Sequence, residues 1–169
     1  MISAFHPLFL FALIPYGIQG LALAVDEFVL HRRRGLSRWE RWGHPLDTLT
    51  VLNVNLVAHF FPFKESVFIV FLVLCFFSCL FVTKDEWIHA KECCPFEHWL
   101  HAVLFVIHPV AFACSAFFWI ARDKPELLGL SQATSTLAGQ TLIAQAIILF
   151  VFIVYQIMYW NFFRPKASG

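Results

Sequence analysis

Five apolar runs divide the chain, and polar residues collect where the runs end. The first, Pro7 to Val25, is long enough at about 1.5 Å per residue to cross a hydrocarbon core of about 30 Å. A second helix is predicted to open at His44-Pro45-Leu46-Asp47 and to run to about Phe61. Proline suits a first helical turn, and Asp47 then favours the positive end of the helix dipole. The third run, Ser66 to Thr83, continues into Asp85, Glu86 and His89 until Cys94-Pro95 breaks it. The fourth covers Phe96 to Ala121. The fifth covers roughly Thr136 to Phe163, with Tyr159 and Trp160 suited to an interfacial belt and Arg164 and Lys166 as an anchor. The expected architecture is an all-α integral membrane protein with five transmembrane helices, forming a single domain over residues 1–169.

Composition agrees with this. Of 169 residues, 60% are hydrophobic, 18% aromatic and only 14% charged, against roughly 25% charged in soluble domains. A net charge of +1 and the lack of a basic stripe exclude a nucleic-acid partner. The 21 Phe residues fall mostly inside the apolar runs, where lipid contact and helix packing account for them. Five Cys do not form a disulfide framework, since Cys75, Cys79 and Cys114 are buried in apolar runs and Cys93 and Cys94 are adjacent.

Charge sets the expected topology. Arg32, Arg33, Arg34, Arg38 and Arg41 form the strongest positive cluster, which the positive-inside rule assigns to the cytoplasm. The N-terminus is then outside and the C-terminus cytoplasmic. Ala22-Leu23-Ala24 resembles a cleavage site, but the first run is longer than a signal-peptide core and Met1 to His6 carries no positive charge. The run is therefore read as a helix that stays.

A repeat then emerges. Asp26-Glu27, His31 and Trp39-Glu40-Arg41-Trp42-Gly43-His44 match Asp85-Glu86, His89 and Phe96-Glu97-His98-Trp99-Leu100-His101. Both read Asp-Glu, a gap, His, a loop, then aromatic-Glu-x-Trp-x-His. The first four helices are thus expected to form two repeated helical hairpins, about 7–61 and about 66–121, related by a pseudo-two-fold axis along the membrane normal. Both ligand sets fall on the cytoplasmic side. The fifth helix, about 136–163, has no counterpart and either closes the bundle or offers a face to a second copy.

Doubled, the set resembles the ligand inventory of a di-metal carboxylate site in a helical bundle, and Glu86-Trp87-Ile88-His89 is a literal Glu-x-x-His. In the first repeat Glu27 and His31 are four apart, which still puts them on one helix face. Glu27, His31, Glu40, His44, Glu86, His89, Glu97 and His101 are the expected metal ligands. Asp26, Asp47, Asp85, His98 and His108 are alternate or supporting groups, His108 lying deeper in the membrane. Imidazole with carboxylate suits two ions of iron, with zinc or manganese as alternatives. In ligand types and location the site resembles membrane-bound di-iron oxidases and desaturases.

The expected function is a membrane metalloenzyme acting by oxidative chemistry on a lipid-like substrate delivered by the surrounding membrane lipid. A zinc-dependent hydrolase of a lipid amide or phosphate is the second reading. A metal-binding or metal-transport protein is the third, although transport favours ligands nearer the midplane. A polar collar of carboxylate–arginine pairs explains the charges but not six histidines (His31, His44, His89, His98, His101, His108) in register with them.

Overall fold

The computed structural model describes residues 6–84 and 86–164. Asp85 lies outside the described residues. The described chain is helical throughout, with no strand among its residues.

Helix α1, Pro7–Val25, starts with Pro7 in its first turn and the His6 ring accepting from the Leu8 N–H. It passes without a break through a π-helical turn, Asp26–His31, into the short α2, Arg32–Arg34. Wider π turns are rare and recur at functional sites. Here the turn carries Asp26, Glu27 and His31, all buried. Gly35, with φ of 84°, ends the helix in a conformation that a side chain would strain.

Helix α3, Arg38–Phe60, begins earlier than the position of Pro45 predicts. Ser37 and Glu40 form a reciprocal capping box, which satisfies the free N–H groups of the first turn and fixes the start there. Pro45 and Asp47 consequently sit inside the helix, so Asp47 is not a first-turn carboxylate. Its Oδ2 accepts from the Lys84 ammonium instead.

Helix α4, Glu65–Phe81, leads through a turn to α5, Glu86–Glu92. Helix α6, Pro95–Asp123, has Pro95 in its first turn. A 3₁₀ turn, Pro125–Leu128, precedes α7, Gln132–Met158, which Ser131 caps and a second π turn, Tyr159–Phe163, extends.

Among the described residues, four stretches are long and apolar enough to cross a membrane: Pro7–Arg34, Glu65–Glu92, Pro95–Asp123 and Gln132–Phe163. Helix α3 is not among them, because its first half carries Arg38, Glu40, Arg41, His44 and Asp47. It is instead packed against α7, α4 and α6, with Glu40, Val54, Asn55 and Ala58 fully buried. Helix α1 packs against α6, and α7 lies against both α3 and α6. The unmatched fifth helix of the sequence pattern thus closes the bundle.

Lipid tails are as apolar as leucine, so apolar burial alone does not hold such helices together. Close packing and polar contacts do. At one end Phe9, Phe71, Phe118 and Trp119 form the main core. There the Trp119 indole and the Arg122 guanidinium each donate to the Phe61 carbonyl at 2.9 Å. Further along, Tyr16–Ser115 and Thr50–Ser78 close at 2.7 Å. The other end is occupied almost entirely by acids and histidines.

Candidate metal centre

Each element delivers its share of this cluster for a local reason. The π turn after α1 puts Asp26, Glu27 and His31 on one inward side. The capping box aims Glu40, because its carboxylate must reach back to the Ser37 N–H at 2.8 Å. His44 follows one turn later on the same face. Helix α5 places Glu86 and His89 three apart, and the first two turns of α6 place Glu97 and His101 four apart.

The contacts cross between the two segments. Glu40 Oε1 lies 3.5 Å from His89 Nε2, and Glu97 Oε1 lies 3.7 Å from His31 Nε2. Within each segment the histidines are neighbours, with ring centroids 4.7 Å apart for His31 and His44 and 4.4 Å apart for His89 and His101. Glu27 Oε2 approaches His31 Nδ1 at 3.6 Å, while Glu86 Oε1 approaches His89 Nδ1 at 3.0 Å. Asp26 closes the ring, with Oδ2 3.1 Å from His31 Nε2 and Oδ1 3.3 Å from His101 Nε2.

Among the described residues, four overlapping groups bring ligand atoms within 4.8 Å of one another: Asp26, His31, Glu97 and His101; Glu27, His31 and His44; Glu40, His44 and His89; and His89, Cys93 and His101. Ligands on opposite sides of an ion are about 4 Å apart, given bonds of roughly 2.0–2.2 Å to nitrogen or oxygen, so each group is near coordinating dimensions. His31 is 1% exposed, yet neither of its ring nitrogens has a hydrogen-bond partner, and nor does Nδ1 of buried His101. The neighbours of the His31 nitrogens are carboxylate oxygens of Asp26, Glu27 and Glu97 at 3.1, 3.6 and 3.7 Å, none in good hydrogen-bond alignment. Facing carboxylate oxygens from several sides, His31 is what a metal ligand looks like without its ion.

The electrostatics point the same way. Asp26, Glu27, Glu40 and Glu97 are buried, and Glu86 is half-buried. Burial pushes the Glu40 carboxyl up, but hydrogen bonds from His89, Arg34 and the Ser37 N–H outweigh it and hold it well below the usual carboxylate range. Burial, followed by the hydrogen bond to Glu97, pushes the Cys93 thiol up. Such a concentration of carboxylate is stable only with cations beside it.

Arg34 is one such cation, and sequence reading assigned it only to topology. Its guanidinium spans Glu40 at 2.7 and 3.2 Å and reaches Glu97 and Glu92, each at 3.2 Å. It thereby ties the first segment to the second. Cys93, set aside as a loop thiol, joins His89 and His101. Trp160, assigned to an interfacial belt, is 1% exposed and donates its indole N–H to Glu27. Gln156, one turn before it, donates to the same carboxylate at 3.5 Å and accepts from Thr48 at 3.0 Å. The Gln156–Trp160 spacing, one turn at the end of an apolar helix, was the available signal.

Of the remaining expected residues, Asp47 lines the cavity among the ligands, whereas His98 and His108 sit apart. His98 is half-buried and belongs to none of the four groups. His108 is buried below the cluster, its Nε2 3.1 Å from Ser78 Oγ and its Nδ1 3.1 Å from Gln19. A cavity of about 90 Å³ opens among the ligands, lined by Asp26, His31, His44, Glu86, His89 and His101 and, on its apolar side, by Leu23, Leu104, Phe105 and Phe152. Comparison with known proteins adds nothing to these residues: no family model, no curated protein and no solved structure matches the chain.

Proposed function

We propose that the chain is a membrane metalloenzyme whose His/carboxylate cluster holds two metal ions, iron in preference, and acts oxidatively on a lipid-like substrate. One observation carries this reading. His31 is buried, faces carboxylate oxygens of Asp26, Glu27 and Glu97 at 3.1, 3.6 and 3.7 Å, and is shared by two of the overlapping ligand groups. Asp26, His31, Glu97 and His101 would hold one ion, and Glu40, His44 and His89 the other, with Glu27 and Glu86 alongside. When bound, iron would supply oxygen activation. The chain's own residues orient and shield. Trp160 and Gln156 fix the Glu27 carboxylate, Arg34 fixes Glu40 and Glu97, and Leu23, Leu104, Phe105 and Phe152 limit access of bulk water.

In this reading α3 is a fifth span, tolerated despite its polar residues because the other helices shield it. The cluster lies at the cytoplasmic edge, beside Arg32 to Arg34. The crosswise pairs Glu40–His89 and Glu97–His31 support descent from a repeated unit.

Cys93 favours a second reading. With His89 and His101 it forms a thiol–imidazole set suited to zinc, which would make the protein a zinc-dependent lipid hydrolase. Metal analysis of the detergent-purified protein, beside a Glu97→Ala/His101→Ala double variant, separates the readings. About two equivalents of iron, lost in the variant, support the oxidative enzyme. Zinc brings the hydrolase forward. A folded wild type that takes up no metal under any loading condition ends both.

A further inference from the structure

The apolar wall of the cluster cavity includes Leu104 and Phe105 of α6. Helix α4 packs chiefly against α3 and meets α6 only sparsely. The space between α4 and α6 is a second cavity of about 510 Å³, a volume typical of ligand sites. Its lining includes Phe76, Cys79, Pro109, Phe112, Ala113 and Ala116, with no acid, base or amide among the lining residues.

The linings of the two cavities are neighbours in sequence. Val82 and Phe105 line the first, whereas Cys79 and Pro109 line the second. Phe105 and Pro109 are four residues apart on α6, one turn along one face, and Cys79 lies three residues before Val82, which caps the end of α4. From Cys79 back to Phe68, and from Pro109 on to Ile120, the groove follows 11 residue steps of each helix. That is about 16 Å, or roughly half of a hydrocarbon core of about 30 Å. Small side chains at Ala113 and Ala116 keep it open. A ligand that fits both spaces has a polar or reactive end for the acid–histidine cavity and a hydrocarbon tail long enough to cross a single leaflet.

We propose that the groove between α4 and α6 holds the single hydrocarbon tail of a membrane lipid, acyl or prenyl, whose other end lies in the metal-cluster cavity. The proposal rests on the metalloenzyme reading and specifies its substrate. The tail enters sideways from the bilayer. The carbons that reach Val82 and Phe105 are those presented to the ligand ring.

The test uses the full-length protein in phosphatidylcholine nanodiscs, photolysed with palmitic acid or with farnesol, each carrying a diazirine near its methyl end. Mass spectrometry maps the adducts. The expected result is several-fold more labelling on residues 68–79 and 109–120 than on the lipid-exposed face of α7 around Ile147 and Val151. Ala113→Trp, which fills the groove from an exposed position, and the milder Ala116→Leu should each bring that labelling down to the α7 level without changing metal content. Preference for one probe identifies the tail class. Labelling that is even across α4, α6 and α7 overturns the groove, whatever the metal content. Groove labelling in a protein that binds no metal keeps the tail site and overturns the metalloenzyme reading instead.

Discussion

Glu40 of α3 and His89 of α5 approach to 3.5 Å, although each belongs to a different acid–histidine segment of the sequence. The reverse pair, Glu97 with His31, stands at 3.7 Å. Two of the four ligand groups, Asp26 with His31, Glu97 and His101, and Glu40 with His44 and His89, draw on both segments. These two groups exist only when both helix ends are docked, so metal binding there would be linked to packing at this end of the bundle.

His31 is shared by two of the four groups and is the most deeply buried of the cluster histidines, so its loss should be costly. His31→Ala is expected to abolish at least one equivalent of metal while leaving the helical circular-dichroism signal intact. His98→Ala, outside all four groups, should leave metal content unchanged. Metal analysis of the two variants side by side checks this. Equal retention in both would remove His31 from the site.

Arg34 compensates buried carboxylates. Arg34→Ala leaves Glu40 and Glu97 without their guanidinium, and breaking a buried pair on one side costs about 3–5 kcal/mol. A large fall in the melting temperature of the metal-free protein is expected. Arg34→Lys should restore little, because an ammonium cannot reproduce the two-pronged contact to Glu40. Bound metal should reduce the loss, since its charge also faces these carboxylates. Thermal unfolding with and without metal reads both effects.

In the proposed centre Trp160 would act on the metal through Glu27, to which it donates its indole N–H. Trp160→Phe keeps the ring and removes the N–H donor. The expected result is metal affinity weaker by roughly 10-fold or more, the usual effect of losing a supporting hydrogen bond, with little change in thermal stability. Competition with a metal-sensitive dye measures it.

The capping box gives a pH prediction for the metal-free protein. The Glu40 carboxyl is held below its unfolded value, so its contribution is present above the ordinary carboxylate range. It is lost as the pH falls through that range towards the folded value. Stability should therefore decline on the acid side, and Glu40→Gln should be less stable near neutrality but flatter below about pH 4.5. Chemical unfolding at a series of pH values decides. Parallel curves would show that Glu40 does not govern the acid limb.

How much of this was legible beforehand follows from the range of the interactions. Apolar periodicity and helix stops are local, so the helical segments and the polar character of their ends could be read directly. The Ser37–Glu40 box was present in the residues, yet Pro45 was the more conspicuous marker and misplaced the start of α3. The Asp-Glu…His…Glu-x-Trp-x-His repeat named residues that the fold brings within a few ångströms of one another, because a helix end and the next helix start already confine them to one side.

The sequence by itself determined the class of molecule, the ends of most helices and the residue types available to a metal. The tertiary structure decided the pairing. That Glu40 faces His89 rather than His44 alone and that Arg34 bridges Glu40 and Glu97 depend on how the ends of α3, α5 and α6 dock, and that Trp160 holds Glu27 from the far end of the chain depends on α7 packing into the bundle. No local pattern encodes such contacts. They depend on which helix faces pack, and among helices that are apolar on all sides the hydrophobic pattern marks no preferred face.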